Sequence, residues 1–253
     1  MKSSKRTILE FALRVLTRWT VTRYAPDVVG ITGSVGKTST KEAITCVLRG
    51  HKVLRAASGN LNNEVGLPLA VLSDRNAPKG VGGWGAVIFS AVGGLMARKP
   101  YPDLLVLEYA ADKPGDISYL TQMVRPRIAV VTAVGEVPVH VEQYVSVEAV
   151  GREKAKLIEV VPSSGFAILN YDDPTVWAMK EKTRARVIGY GFEEGAEVRV
   201  SGFEERFNEE GIPVGISFKL EYGGSFVPVR MDRVIGKAPA YAAAAAAAVG
   251  IAF

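Results

Sequence analysis

The sequence predicts an α/β fold: a mostly parallel sheet covered by helices with a P-loop, plus a small antiparallel β appendage. Three observations carry this. The stretch VVGITGSVGKTSTKEAI, residues 28–44, runs an apolar strand through a glycine turn into a helical pattern. Short, nearly continuous apolar runs then recur between helical stretches, as expected of strands buried on both faces. From residue 197 the texture changes to alternation punctuated by Gly223 and Gly224, which predicts antiparallel hairpins.

In chain order, residues 7–20 place Ile8, Ala12, Val15, Leu16 and Trp19 on one helical face, so an amphipathic helix is expected to open the chain. Residues 1–25 are read as this helix and a linker, and 26–253 as one domain with its β appendage at about 196–232. A strand at 28–32 leads to a helix at 38–49, which Gly50 ends, and a strand follows at 52–57. Further parallel strands are expected at 104–110, 128–134, 166–170 and 186–191. The alanine-rich end, GKAPAYAAAAAAAVGIAF, has high helix propensity.

The first turn has the chemistry of a phosphate site. Gly33 and Gly36 leave room for backbone N–H groups to close around an anion, and Lys37 adds a fixed positive charge. Thr38 and Ser39 open a helix whose N-terminus carries about half a unit of positive charge. The general pattern G-x-x-x-x-G-K-[ST] is not met, because Ile31 stands where its first glycine would be; the motif is the narrower G-x-x-G-K-T. Ligands of open α/β sheets sit at the carboxyl ends of the strands, and Glu108 lies near such an end, in reach of a metal held by phosphates at the first loop.

A second clue is SVEAVGREKAKLIEVV, residues 146–161. At 100° per residue Val147, Val150, Leu157, Ile158 and Val161 form an apolar stripe, with Glu148, Arg152, Lys156 and Glu159 opposite. Lys154 falls in the middle of the stripe. A lysine so placed either snorkels to water or is deprotonated, paired or chemically altered, and spacing alone leaves both open. His140, one of two histidines, lies 14 residues earlier, where a structural role and a ligand role are both open.

Composition is that of an ordinary globular chain: 253 residues, 48% hydrophobic and 23% charged, with a net charge of +5. The single cysteine, Cys46, excludes an internal disulfide, and no signal-peptide pattern opens the chain, so a cytoplasmic location is expected. Nucleic-acid binding ranks last, since the charge is modest and no aromatic and basic strand pattern accompanies it. The uncharged run WGAVIFSAVGGLMA, residues 84–97, has 14 residues where a spanning helix needs about 20. A packed helix is the default and membrane contact is not expected; the alternative is an interfacial contact, because Arg98 and Lys99 follow directly.

Taken together, GITGSVGKTSTKEAI, SGNLNNEVGLPLAVL, LEYAADKPGDISYLT, VEAVGREKAKLIE and AILNYDDPTV resemble, in this order, the motifs of the Mur ligases. The likeness covers residues 26–253, and the Asn-Leu-Asn-Asn and Pro-Gly-Asp-Ile forms look most like the branch that attaches D-alanyl-D-alanine to the UDP-muramoyl tripeptide. The resemblance implies an ATP-dependent ligase in which a substrate carboxylate becomes an acyl phosphate that the incoming amine displaces. It implies that Gly33, Ser34, Gly36 and Lys37 cradle the β and γ phosphates, with Ser39 at the same helix start, and that Thr38 and Glu108 hold one Mg²⁺. By the same resemblance His140 helps hold a second Mg²⁺, Lys154 is the carbamoylated lysine that supports it, Asn60 contacts the muramoyl peptide, and Asn170 lies near the base or ribose.

The sequence departs from the family pattern at Val35, at Tyr109 and Ala110, and at Ala238, Pro239 and Ala242, where side chains around the nucleotide base are usual. Against the family's plan the N- and C-terminal ligase domains are lacking. The chain is expected to be the central ATPase domain, with the C-terminal domain supplied in cis in a longer chain. Two rival readings are a folylpolyglutamate-synthase-like ligase, against which the Asn-Leu-Asn-Asn segment argues, and a catalytically incomplete nucleotide-binding interaction module.

Overall fold

The computed structural model describes residues 4–57, 59, 61–73, 78, 80–135, 144 and 146–253, with backbone alone at 4, 5 and 81. The elements run α1 (Ser4–Tyr24), β1 (Asp27–Thr32), α2 (Lys37–Leu48), β2 (Leu54–Ala56), α3 (Gly66–Leu72), α4 (Gly80–Met96), β3 (Leu104–Glu108), α5 (Asp116–Met123) and β4 (Ile128–Val131). They continue with α6 (Val147–Glu159), β5 (Phe166–Asn170), α7 (Pro174–Trp177), β6 (Arg186–Gly191), β7 (Val198–Phe207), β8 (Pro213–Tyr222), β9 (Ser225–Asp232) and α8 (Ala238–Ile251).

Among the described residues one sheet forms, ordered β2-β3-β1-β4-β5-β6-β7-β8-β9. Its strands are parallel from β2 to β6, and β7 first pairs parallel with β6, at Tyr190↔Val198 and Gly191↔Arg199. The strand then pairs antiparallel with β8, and β8 with β9. The expected antiparallel β appendage is therefore present, as β7, β8 and β9 continuing the edge of the main sheet.

Period-two alternation explains why the parallel strands read as continuous apolar runs. Val28, Leu105, Leu107, Ala129 and Val131 point to one face, where they meet Leu67 of α3, Ile117 and Leu120 of α5 and Val150, Leu157 and Ile158 of α6. Val29, Ile31, Leu104, Val106, Ile128 and Val130 point to the other, against Ile44 and Leu48 of α2 and the alanines of α8. Because Ala240, Ala244, Ala245, Ala246 and Ala248 are all fully buried, α8 is covered nearly all round, and its small side chains let it lie close to α2 and the sheet.

Two expectations need correction. The opening helix forms, but its inward side carries Leu13, Leu16, Thr17 and Thr20, while Ile8, Val15 and Trp19 of the expected apolar face are exposed. The helix packs on α3, α4 and α5. The apolar run at 84–97 is likewise only half a packed helix: Ala91 and Leu95 of α4 are buried, yet Phe89 and Met96 are 82% and 76% exposed.

Strand order fixes where a ligand sits. β1 lies between β3 and β4, so the connections leaving β1 and β3 diverge, opening a crevice beyond their carboxyl ends. Thr32, Glu108 and the turn 33–36 all lie at this end.

Candidate active site

The glycine turn is held by the strand beside it. Ser34 N donates to Ala133 O at 2.6 Å, and Thr132 Oγ1 donates to Val35 O at 2.6 Å. Gly33 has φ +149°, and a Cβ there would lie 1.8 Å from Thr132 Oγ1. Gly36, at φ +83°, turns the chain into α2, whose first turn receives no side-chain cap. Backbone N–H groups of a first helical turn have no intrahelical partner, which suits this end to an anionic ligand. The Ser34 hydroxyl is buried and finds no hydrogen-bond partner among the described residues. Thr38 and Ser39 follow on the exposed side of the first turn.

Lys37 folds back over this loop, donating from Nζ to Gly33 O at 2.7 Å and to Ser34 O at 3.2 Å. Burial lowers its pKa, against the opposing pull of Glu108 and Asp112. An ammonium resting on carbonyl oxygens of a phosphate-type loop occupies weaker acceptors than phosphate oxygens would be.

Glu108 is 1% exposed and pairs in register with Ile31, one residue before the loop strand ends. Its partner is Lys41, a residue the sequence reading passed over. Lys41 Nζ lies 2.9 Å from Glu108 Oε1, and both side chains are almost wholly buried. The ammonium also donates to Gly59 O at 3.0 Å. Glu108 Oε1 takes no well-directed hydrogen bond, so this buried oxygen retains acceptor capacity. The signal for Lys41 was present: it shares the buried face of α2 with Ile44 and Leu48 at helical spacing, the argument already applied to Lys154.

Lys154 is buried on α6, where the stripe places it. Its pKa falls to about 8, first through burial and then through the nearby Lys37 ammonium, while Asp112 and Glu153 pull the other way. With the residue only 4% exposed, its ammonium does not reach water by snorkelling. Glu153 beside it is also buried: its Oε1 accepts from Ile117 N at 3.0 Å, capping α5 from another helix, and its Oε2 lies 2.5 Å from Lys156 Nζ. Ser146 caps α6 itself through Ala149 N at 3.2 Å.

The segment after β2 is tied to the same strand ends. Lys41 grips Gly59, Ala110 N donates to Asn62 O at 2.9 Å, and Asn63 Oδ1 accepts from Gly66 N at 2.9 Å to start α3. Asn60 and His140 lie outside the described residues. Among the described residues no three His, Cys, Asp or Glu side chains cluster as a metal site.

Asn170 is buried at the end of β5, and its Oδ1 accepts from Asp172 N at 3.1 Å. The turn it opens joins three parts of the fold. Asp172 accepts from Phe192 N and Glu193 N and from the Tyr241 hydroxyl of α8 at 2.7 Å. Asp173 accepts from Val134 N and Gly135 N beyond β4 while capping α7 at Val176 N. Tyr109, a departure from the family pattern, is fully buried and donates to Val124 O at 2.8 Å. Its ring takes the space over Gly30, where a Cβ would meet it at 2.9 Å.

The sequence matches the Mur ligase middle domain over residues 95–250, more than half of the chain. A UDP-N-acetylmuramoyl-tripeptide–D-alanyl-D-alanine ligase of Mycobacterium leprae is 37% identical over 161 residues, which are 64% of this chain and 26% of that protein. The MurF ligase of Thermotoga maritima, solved in complex with ADP, superposes with a TM-score of 0.74 at 27% identity, over 98% of this chain and 49% of that one. MurF of Acinetobacter baumannii shares the fold at a TM-score of 0.75 and 24% identity, over 96% of this chain and 46% of that one. The chain thus spans about a quarter of the curated ligase it matches and about half of the solved ones. With the phosphate-type turn, the buried strand-end glutamate and the buried lysine of α6 on one crevice, the chain belongs to the Mur ligase family.

Proposed function

We propose that the chain supplies the ATP-binding and phosphoryl-transfer centre of a carboxylate–amine ligase of peptidoglycan precursor synthesis, serving the addition of D-alanyl-D-alanine to a UDP-muramoyl tripeptide. The observation that carries this reading is the convergence on one loop of Lys37, the buried Glu108 and Lys154, whose pKa is lowered to about 8.

The residues suit both a nucleotide phosphate and a divalent cation. The orphaned Ser34 hydroxyl and the uncapped first turn of α2 offer donors to phosphate, and the buried Glu108 offers a carboxylate oxygen to a cation. Thr38 and Glu108 would hold one Mg²⁺, and Lys154 with His140 would support a second. Bound there, the cations would neutralise phosphate charge and align the reacting groups.

Lys37 would exchange the Gly33 and Ser34 carbonyls for phosphate oxygens, keeping its charge at the loop. At neutral pH a lysine of pKa about 8 is neutral in roughly a tenth of molecules, whereas an ordinary one almost never is. The free amine can attack CO₂: the N–C bond forms as one C=O π pair moves onto oxygen, the nitrogen gives up a proton to solvent, and the side chain becomes an anionic carbamate. The change removes repulsion from Lys37 and replaces it with attraction. Asn60 would face the muramoyl peptide and Asn170 the nucleoside.

Calorimetry with Mg²⁺-ATP on the wild type and Lys37→Ala tests the reading: binding is expected in the first and lost in the second. Absence of binding to the wild type refutes it. A ¹³C-bicarbonate NMR signal that disappears in Lys154→Met tests the carbamate separately.

A further inference from the structure

α4 lacks the polar face that a helix on a protein surface normally presents to water. Its inner side, Ala91 and Leu95, is buried. On the outer side Ala86, Phe89, Gly93 and Met96 recur at helical spacing and are exposed, and no charged residue occurs between Gly80 and Ala97. Its neighbour α1 repeats the arrangement. Leu13, Leu16, Thr17 and Thr20 turn inward, while Ile8 and Phe11, both 68% exposed, and Val15 and Trp19 line the outer side. At 100° per residue these four fall within an arc of about 80°.

The charges around this double apolar face are mostly positive. α1 carries Arg6, Arg14, Arg18 and Arg23 against the single acid Glu10, and Arg6 is engaged with Glu10 and Glu64. Arg18 and Arg23 are exposed on either flank of the apolar arc. α4 is followed directly by the exposed pair Arg98 and Lys99, and residues 80–102 contain no acid. The Tyr24 hydroxyl donates to Gly94 O at 3.1 Å and its ring stacks on Tyr101 at 4.6 Å, so the C-terminal ends of the two helices, with their cations, lie together.

No helix among the described residues is long and apolar enough to cross a membrane. An uncharged helix with one side packed and the other bare, flanked by cations and by Trp19, Tyr24 and Tyr101, suits the boundary between acyl chains and anionic headgroups. We propose that the outer faces of α1 and α4 seat the protein on an anionic lipid surface, with Phe89, Met96, Ile8 and Phe11 entering the acyl boundary and Arg18, Arg23, Arg98 and Lys99 meeting the headgroups.

Co-sedimentation of the 253-residue chain with phosphatidylcholine vesicles, with and without one-third phosphatidylglycerol, tests this. Binding to the anionic vesicles is expected to exceed binding to the neutral ones by roughly tenfold and to weaken several-fold at high salt. F89E/M96E should abolish it, and R98Q/K99Q should reduce it while leaving ATP binding and the melting temperature unchanged. The exposure of these side chains makes both variants compatible with folding. Lack of binding to anionic vesicles overturns the proposal, as does binding that F89E/M96E leaves intact. Light scattering that shows a dimer abolished by F89E/M96E assigns the face to a second copy and also overturns it.

Discussion

Replacing Lys41 by methionine tests whether Glu108 is held as a buried anion. At the 2.9 Å separation the gross attraction is about 6 kcal/mol for an effective dielectric constant of 20, much of it offset by the cost of taking both charges out of water. Methionine keeps the volume and removes the charge, so the variant inherits the desolvation cost of Glu108 without its compensation, about 3–5 kcal/mol. For a chain of this size that is a fall in melting temperature of order 10 °C. The double variant Lys41→Met/Glu108→Gln removes both charges and should recover most of the stability. Mg²⁺ should raise the melting temperature of Lys41→Met more than that of the wild type, since a cation can replace the lost ammonium. Urea and thermal unfolding monitored by circular dichroism give all these values. A single variant within 1 kcal/mol of the wild type, or a double variant no more stable than Lys41→Met, would refute the reasoning.

Three further outcomes are expected. Lys154 is a base whose folded pKa, about 8, lies below the 10.5 of the unfolded chain, so the unfolded state binds more protons between these values and stability rises with pH across that window. Lys154→Met should therefore stabilise the CO₂-free protein at pH 7 by up to about 3 kcal/mol, an advantage that fades as pH climbs from 8 toward 10.5 and that melts at fixed ionic strength would reveal. Glu153→Ala removes the cap on Ile117 N and should cost about 1–3 kcal/mol, with faster hydrogen exchange at the start of α5 than at its end. Gly33→Ala cannot keep both its backbone angle and the Thr132 contact, so Mg²⁺-ATP binding should be lost by calorimetry while α8, packed on α2, β6 and β7, stays protected from exchange.

What the sequence determined by itself was everything encoded at short range. The parallel strands, the glycine turn before Lys37 and the misplaced Lys154 are local patterns, and each stands where the pattern put it. Lys41 was equally legible, but its meaning was not: a lysine on an apolar face becomes interpretable only when β3 brings Glu108 beside it across 67 residues of chain. Glu153 was hidden for a related reason, since its partner Ile117 belongs to another helix. The direction of α1 also needed the tertiary structure. Ile8, Val15 and Trp19 form as good an apolar stripe as Leu13 and Leu16, and periodicity measures the amplitude of a stripe without naming the surface it meets. Packing on α3, α4 and α5 chose the side with Leu13, Leu16, Thr17 and Thr20, because those side chains fit the space between helices. The larger aromatic residues were left facing out.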